Sequence, residues 1–231
     1  MEAIVLAGGL GRRLRSVISD LPKPMAPVAG RPFLEILLTM LGRAGVGRVV
    51  LSVGYRADAI RAHFGDSFRG IELDYAFEEQ LLGTGGAIRW SLEHCKEDHV
   101  FIFNGDTFLD LEIGAVEAFW QSYRQPIIVA REVPDTERYG RIEMNGDRFT
   151  GFTEKGLRGP GPINAGCYVF PRNLLNRFAP GDAFSLETDF LAQAVHQIPF
   201  RVFTTHGKFI DIGVPEDYAR AQQELSSFDL Q

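Results

Sequence analysis

Glu2-Ala-Ile-Val-Leu-Ala7 runs directly into Gly8-Gly9-Leu10-Gly11-Arg12-Arg13-Leu14, and Pro22-Lys23-Pro24 follows nine residues after Arg13. The apolar run ending in glycine reads as a buried strand. Three glycines in the loop that follows let the main chain approach a ligand closely and adopt positive φ. Arg12, Arg13, Arg15 and Lys23 offer charge to a polyanion. Backbone amides and cations gathered at the end of a buried strand are suited to holding the phosphates of a nucleoside triphosphate.

Two better-known glycine loops do not fit. A Walker loop places a lysine after its last glycine, and none stands in that relation to Gly8 or Gly9. The dinucleotide fingerprint needs a third glycine three positions after Gly11, where Leu14 stands.

Outward from the loop, apolar runs alternate with helical patterns. Arg48–Val53 and His99–Phe103 read as buried strands, and Ile71–Phe77 alternates as another. Phe33, Leu34, Leu37, Leu38 and Leu41 recur at helical spacing, with Gly42 and Gly45 near the stop. Asp58–Phe64 and Gly86–Cys95 are further helix candidates. Strand, helix and strand in this order imply parallel neighbours joined by right-handed crossovers. Ligands in such sheets sit beyond the carboxyl ends of the strands, which places the glycine loop and Asn104-Gly105-Asp106 on one edge.

The second half is less regular. Ile127–Glu132, Cys167–Phe170 and Phe200–Thr204 read as strands, with a helix over Leu186–Gln197 and a hairpin turning at Asn145-Gly146. Gly156–Pro162 is glycine- and proline-rich and reads as a loop. The expected fold class is α/β: a Rossmann-like three-layer arrangement around a mixed, mostly parallel sheet. It forms one domain over residues 1–231, with an acceptor-binding lobe at about 139–166.

The 231 residues carry a net charge of −6, which argues against a general nucleic-acid surface and makes the local cationic loop a site for a small polyanion. No apolar run reaches transmembrane length, and the chain enters a strand without a signal-like segment, so no membrane partner and a cytoplasmic location are expected. Cys95 and Cys167 are far apart and read as reduced thiols. The five histidines form no metal-binding cluster.

Asp106 follows an apolar strand, and Asp211 precedes the helix start at Pro215-Glu216-Asp217. Aspartates on one sheet edge can hold Mg²⁺, a hard cation that shares oxygen ligands with substrate phosphates. An Asx turn at Asp106 and a loop or capping role at Asp211 are the plainer alternatives.

Taken together, these blocks resemble the sugar-1-phosphate nucleotidyltransferases along nearly the entire chain. Gly8–Leu14 with Pro22-Lys23-Pro24-Met25 looks like that family's long N-terminal motif. Gly83-Thr84-Gly85-Gly86, Asn104-Gly105-Asp106, Tyr139-Gly140, Glu154-Lys155, Asn164-Ala165-Gly166 and Asp211-Ile-Gly213 match later blocks in order. The resemblance implies that a sugar 1-phosphate attacks the α-phosphorus of a nucleoside triphosphate and pyrophosphate leaves.

It also implies residue roles. Arg13 would hold the leaving pyrophosphate and Lys23 would neutralise the α-phosphate region, as the catalytic pair. Leu6, Ala7, Gly8, Gly9, Gly11, Gln80, Gly85 and Asp106 would complete the nucleotide site. Asp106 and Asp211 would hold Mg²⁺. Gly140, Glu154, Lys155 and Asn164 would take the sugar phosphate.

Several residues depart from the common pattern. Arg15-Ser16-Val17-Ile18 stands where many relatives have a proline, Gly156 follows Lys155 in place of proline, and Phe209 takes the place of a tryptophan. The chain ends soon after Asp211, so no C-terminal β-helix domain is expected.

Within the family, the Arg12–Arg15 run, Gly30–Glu35 and Leu82–Gly86 most resemble the guanylyltransferases acting on D-glycero-D-manno-heptose 1-phosphate, which serve bacterial surface polysaccharides. Mannose-1-phosphate guanylyltransferase and the uridylyltransferase for N-acetylmuramate 1-phosphate are close competitors. A metal-dependent glycosyltransferase, or a non-catalytic subunit binding nucleotide sugars, would be the reading from another class. A homodimer is expected only because it is the commonest soluble assembly.

Overall fold

The computed structural model describes residues 1–9, 21–153, 156–226 and 228. Gly11 and Arg13, with the rest of the cationic half of the glycine loop, lie outside the described residues, as do Glu154 and Lys155.

The first strand, β1 (Glu2–Leu6), buries Ala3 and Val5 in one core and Ile4 in another. Burial on both faces is what a continuous apolar run encodes. A single 3₁₀ turn (Lys23–Met25) and the ribbon of β2 (Pro27–Val28) with β3 (Arg31–Pro32) lead into α1 (Phe33–Arg43). Phe33, Leu34, Ile36, Leu37, Leu38 and Leu41 of α1 are buried, each contributing about 1.5–3 kcal/mol relative to exposure. The helix stops at Gly45, whose φ of +84° suits a glycine. Next come β4 (Arg48–Val53), α2 (Ala57–Phe64), β5 (Ser67–Phe68), β6 (Ile71–Phe77), α3 (Gly83–Leu92) and β7 (His99–Asn104).

After β7 come β8 (Thr107–Leu109), α4 (Ile113–Tyr123), β9 (Ile127–Val133), β10 (Ile142–Asn145), β11 (Arg148–Phe152) and β12 (Gly161–Pro171). A π-helical turn (Leu186–Leu191) runs into the short α5 (Ala192–Ala194), followed by β13 (Arg201–Thr205), β14 (Phe209–Asp211) and α6 (Pro215–Glu224).

Ten strands form one sheet in the order β10-β11-β13-β9-β12-β7-β1-β4-β6-β5. Strands β7, β1, β4 and β6 are mutually parallel; β12 is antiparallel to both β7 and β9, and β13 is parallel to β9. The sheet is therefore mixed and mostly parallel in its centre, as the alternating pattern implied. One core packs α1, α2, α4 and α6 against one face; the other packs α3, the π-helical turn and Phe149, Phe170 and Phe200 against the opposite face.

Lys23 sits in a 3₁₀ turn closed by Met25 N–H to the Pro22 carbonyl at 2.8 Å. Three local readings change. The hairpin turns at Gly146-Asp147, because Gly146 takes the positive φ (+60°) that this turn needs. Strand β12 already begins at Gly161, inside the segment read as loop. Helix α4 was unread; Ile113, Val116 and Trp120 form its buried stripe.

Candidate active site

Strands β1, β4, β6 and β7 all end on one edge, at Leu6, Val53, Phe77 and Asn104. A cleft of about 280 Å³ opens there, walled by Gly8, Gly9, Lys23, Glu78, Thr84, Asn104 and Asp106, among others. Glycine is required where the loops interlock. A Cβ on Gly105 would lie 2.4 Å from the Leu6 carbonyl oxygen, which instead accepts the Gly105 N–H at 2.9 Å. A Cβ on Gly8 would lie 2.7 Å from a Glu78 carboxylate oxygen. Ala7 closes the base of the loop by donating its N–H to the Ser52 carbonyl at 2.8 Å.

Among the described residues that wall the cleft, Lys23 is the cation. Its ammonium pairs with Asp106 and lies 3.9 Å from Asp211 Oδ1, with only 11% of its side chain exposed. The β8–β14 ribbon brings the two aspartates together: Asp211 is opposite Thr107, and Ile212 N–H donates to the Asp106 carbonyl at 3.0 Å. Burial raises the Asp211 pKa and Asp106 adds to the rise, while Lys23 and the Gly213 N–H oppose it. Gly213 N–H donates to Asp211 Oδ1 at 2.7 Å, so this carboxylate has the turn-forming role that was the plainer alternative.

At the other end of the cleft stands Glu78, a residue absent from the sequence-based site. Its carboxylate accepts from Ser52 Oγ at 2.8 Å and from Leu82 N–H at 3.4 Å, and burial raises its pKa. Gln80 is exposed and Gly85 is buried; neither lines the cleft, whereas Leu81, Gly83, Thr84 and Ala87 do. The amides of Gly85 and Gly86 are engaged by the Phe184 carbonyl at 3.0 and 3.3 Å, so the glycines of this block dock a distant loop.

On the acceptor side, Gly166 (φ +68°) lets β12 pass against Asn104; a Cβ there would meet Asn104 Nδ2 at 2.3 Å. Asn164 donates to Tyr168 Oη at 2.7 Å and to Glu187 Oε1 at 3.0 Å, and accepts from Gly166 N–H. Gly140 is half-buried, with its Cα face against the Thr153 carbonyl. Tyr139 meets Phe209 edge-on, ring centres 6.1 Å apart.

The family model described as nucleotidyl transferase matches residues 2–227. The chain belongs to the nucleotidyl transferase family. It is 39% identical over 229 residues, 99% of this chain and 100% of the relative, to the D-glycero-alpha-D-manno-heptose 1-phosphate guanylyltransferase of Aneurinibacillus thermoaerophilus. It is 38% identical, over 94% of this chain and 97% of the relative, to the protein of the same name from Campylobacter jejuni. Two crystal structures of HddC from Yersinia pseudotuberculosis, one of them complexed with GMP-PN, superpose with a TM-score of 0.86 at 35% identity. That match covers 97% of this chain and 99% of HddC.

For a nucleotidyl transferase, the fit of a divalent cation is decided by donor chemistry. Asp106 and Asp211 offer hard carboxylate oxygens, and no group of three or more metal-binding side chains occurs among the described residues. Two carboxylates suit Mg²⁺, which keeps waters and takes further oxygens from substrate phosphates. No helix among the described residues is long and apolar enough to cross a membrane.

Proposed function

We propose that this nucleotidyl transferase moves GMP from GTP to D-glycero-D-manno-heptose 1-phosphate, releasing pyrophosphate and forming GDP-heptose for surface polysaccharide synthesis in the cytoplasm. The observation that carries the proposal is the full-length likeness, at 39% identity, to a heptose 1-phosphate guanylyltransferase.

The cleft supports the nucleotide half of that reading. Asp106 follows β7 and Glu78 follows β6, three strand steps apart in the sheet, or about 14 Å at the usual ~4.8 Å spacing. That span accommodates a nucleotide with its phosphates at Lys23 and its base at Glu78. Guanine presents two adjacent donors, N1–H and the N2 amino group, and an ionised carboxylate is an acceptor-only partner for both. Uracil presents one donor between two acceptors and finds no such match.

In the reaction a phosphate oxygen of the sugar 1-phosphate forms a bond to the α-phosphorus while the bond to the bridging oxygen of the β-phosphate breaks. The attacking oxygen already carries charge, so the protein has little proton transfer to perform; alignment and charge neutralisation supply the catalysis. Lys23, fixed by its 3₁₀ turn, neutralises charge near the α-phosphate, and Gly8 and Gly9 admit the phosphates to the backbone. Asp106 and Asp211 would hold Mg²⁺, which when bound stabilises negative charge on the phosphate oxygens. By resemblance, Arg13 takes the pyrophosphate, and Glu154, Lys155, Asn164 and Gly140 take the sugar phosphate.

The test is pyrophosphate release from purified protein with Mg²⁺, each of four nucleoside triphosphates and a panel of sugar 1-phosphates. Release with GTP and heptose 1-phosphate above all other pairs is expected. Preference for UTP or dTTP would overturn the base assignment, preference for mannose 1-phosphate the sugar assignment, and no release with any pair the activity itself.

A further inference from the structure

Five residues close a ring of contacts behind the acceptor loop. Arg138 Nη2 donates to Asp217 Oδ2 at 2.8 Å, and the Arg138 guanidinium lies 5.7 Å from the centre of the Tyr139 ring. Tyr139 meets Phe209 edge-on, the Phe209 carbonyl accepts from Arg220 Nη2 at 3.1 Å, and Arg220 Nη1 returns to Asp217 Oδ1 at 3.3 Å.

Asp217 is the hub. It lies in the first turn of α6, is only 6% exposed, and has both oxygens engaged. The ring joins two segments that carry different parts of the site: residues 138–140, ending at Gly140, and residues 209–217, which include Asp211. Apolar packing does not back this junction on its outer side. A second cleft of about 340 Å³ opens there, with Arg138, Tyr139, Phe209 and Asp217 in its wall and, among the described residues, no lining residue in common with the first. An exposed ion pair contributes little, but a buried carboxylate stripped of its partner is costly, so the ring has one favoured arrangement.

We propose that Asp217 is a positioning residue: through Arg138 it fixes the acceptor loop relative to Asp211, and so couples sugar-phosphate binding to divalent-cation binding. This rests on the reading of Gly140 as acceptor-lining and Asp211 as a cation ligand.

The experiment compares Arg138→Ala, Asp217→Asn and Asp217→Glu with Lys96→Ala. Lys96 pairs with Glu72 at 3.1 Å, both side chains exposed, away from the acceptor lobe and α6. Expected for Arg138→Ala and Asp217→Asn is a rise of about tenfold in KM for heptose 1-phosphate, the factor that about 1.4 kcal/mol represents. The Mg²⁺ concentration for half-maximal rate rises in parallel, while KM for GTP stays within about twofold. Asp217→Glu restores part of the loss and Lys96→Ala changes none of these values.

A second measurement needs no turnover: the rise in Tm on adding Mg²⁺ alone should shrink in Arg138→Ala and Asp217→Asn but not in Lys96→Ala. Unchanged Mg²⁺ responses in the two ring variants would overturn the proposal, as would equal shifts in all three KM and Mg²⁺ values together with a fall in Tm. A wild-type enzyme inactive on every sugar 1-phosphate would overturn the proposed function, leaving the coupling to be decided by the melts.

Discussion

Asp211 stands opposite Thr107 in the β8–β14 ribbon, and that register puts its carboxylate 3.9 Å from the Lys23 ammonium already paired with Asp106. Two carboxylates and one ammonium leave the triad one negative charge in excess, with all three side chains partly withdrawn from water. Such a group is poised to accept a further cation and is strained without one.

Asp211→Asn tests that strain. Burial and Asp106 raise the Asp211 pKa in the folded state from its usual 3.8. A raised folded pKa means the group favours folding below the unfolded value and that this contribution is lost as pH climbs through the folded one. At neutral pH the ionised carboxylate is therefore a cost to the cation-free fold. Asp211→Asn should melt at the same or a higher temperature than the wild type at pH 7, while losing turnover and the Mg²⁺-induced rise in Tm. A lower Tm at pH 7 without Mg²⁺ would refute this account.

Glu78→Gln should redirect the base. The amide offers one acceptor and one donor group, so one guanine donor loses its partner, a loss of about 1–3 kcal/mol, or roughly fivefold to 150-fold in kcat/KM for GTP. ITP, whose base lacks the amino group, should lose less, and UTP should gain. In the wild type, KM for GTP should rise on acidification beginning above the ordinary glutamate value of 4.5, because burial raises the Glu78 pKa. Equal losses with GTP, ITP and UTP would place Glu78 at the ribose or in the scaffold.

What the sequence disclosed followed from local chemistry. The glycine–lysine loop, the apolar strands β1, β4 and β7, and Asp106 at a strand end are all visible in short windows. The pairing of Asp106 with Asp211 is not, because β8 and β14 have three residues each and lie about a hundred residues apart. Glu78 was hidden for a related reason. Beside Glu79 it looks like one of two solvated charges, and only the distant Ser52 and Gly8 make it a half-buried wall of the cleft. Helix α4 escaped notice because Gly114 falls in its first turn and no side chain caps its start. The roles assigned to Arg13, Glu154 and Lys155 fall on residues outside those described.

Two glycine substitutions should separate scaffold from ligand contact. A Cβ on Gly85 would lie 2.2 Å from the Phe184 ring, itself stacked on Phe178 with centres 3.8 Å apart. Gly85→Ala should cost about 1–3 kcal/mol by overpacking, read as a lower urea midpoint. Among the described residues nothing lies within 4 Å of a Cβ placed on Gly9, which lines the cleft. Gly9→Ala should leave the midpoint unchanged and raise KM for GTP. An unchanged midpoint in Gly85→Ala would mean the Phe184 loop is not docked as described.

The two cysteines should report on the cores separately. Cys95 is buried in the core under α3, where burial, followed by the charge of Glu2, pushes its pKa up to about 12; its thiol donates to the Ser91 carbonyl at 3.4 Å. Cys167 is fully buried in the opposite core, and burial holds its thiol well above 9. Thiolate is the reactive form, so neither should react with iodoacetamide in the native protein at pH 8, and the reagent should leave turnover unchanged. Both should label after denaturation. At urea concentrations below the midpoint, the order in which they label identifies which face of the sheet opens first. Simultaneous labelling would mean that the two cores unfold as one cooperative unit. Rapid labelling of Cys167 in the native enzyme would contradict the packing of β12 against β7, since Cys167 is paired there with Phe103.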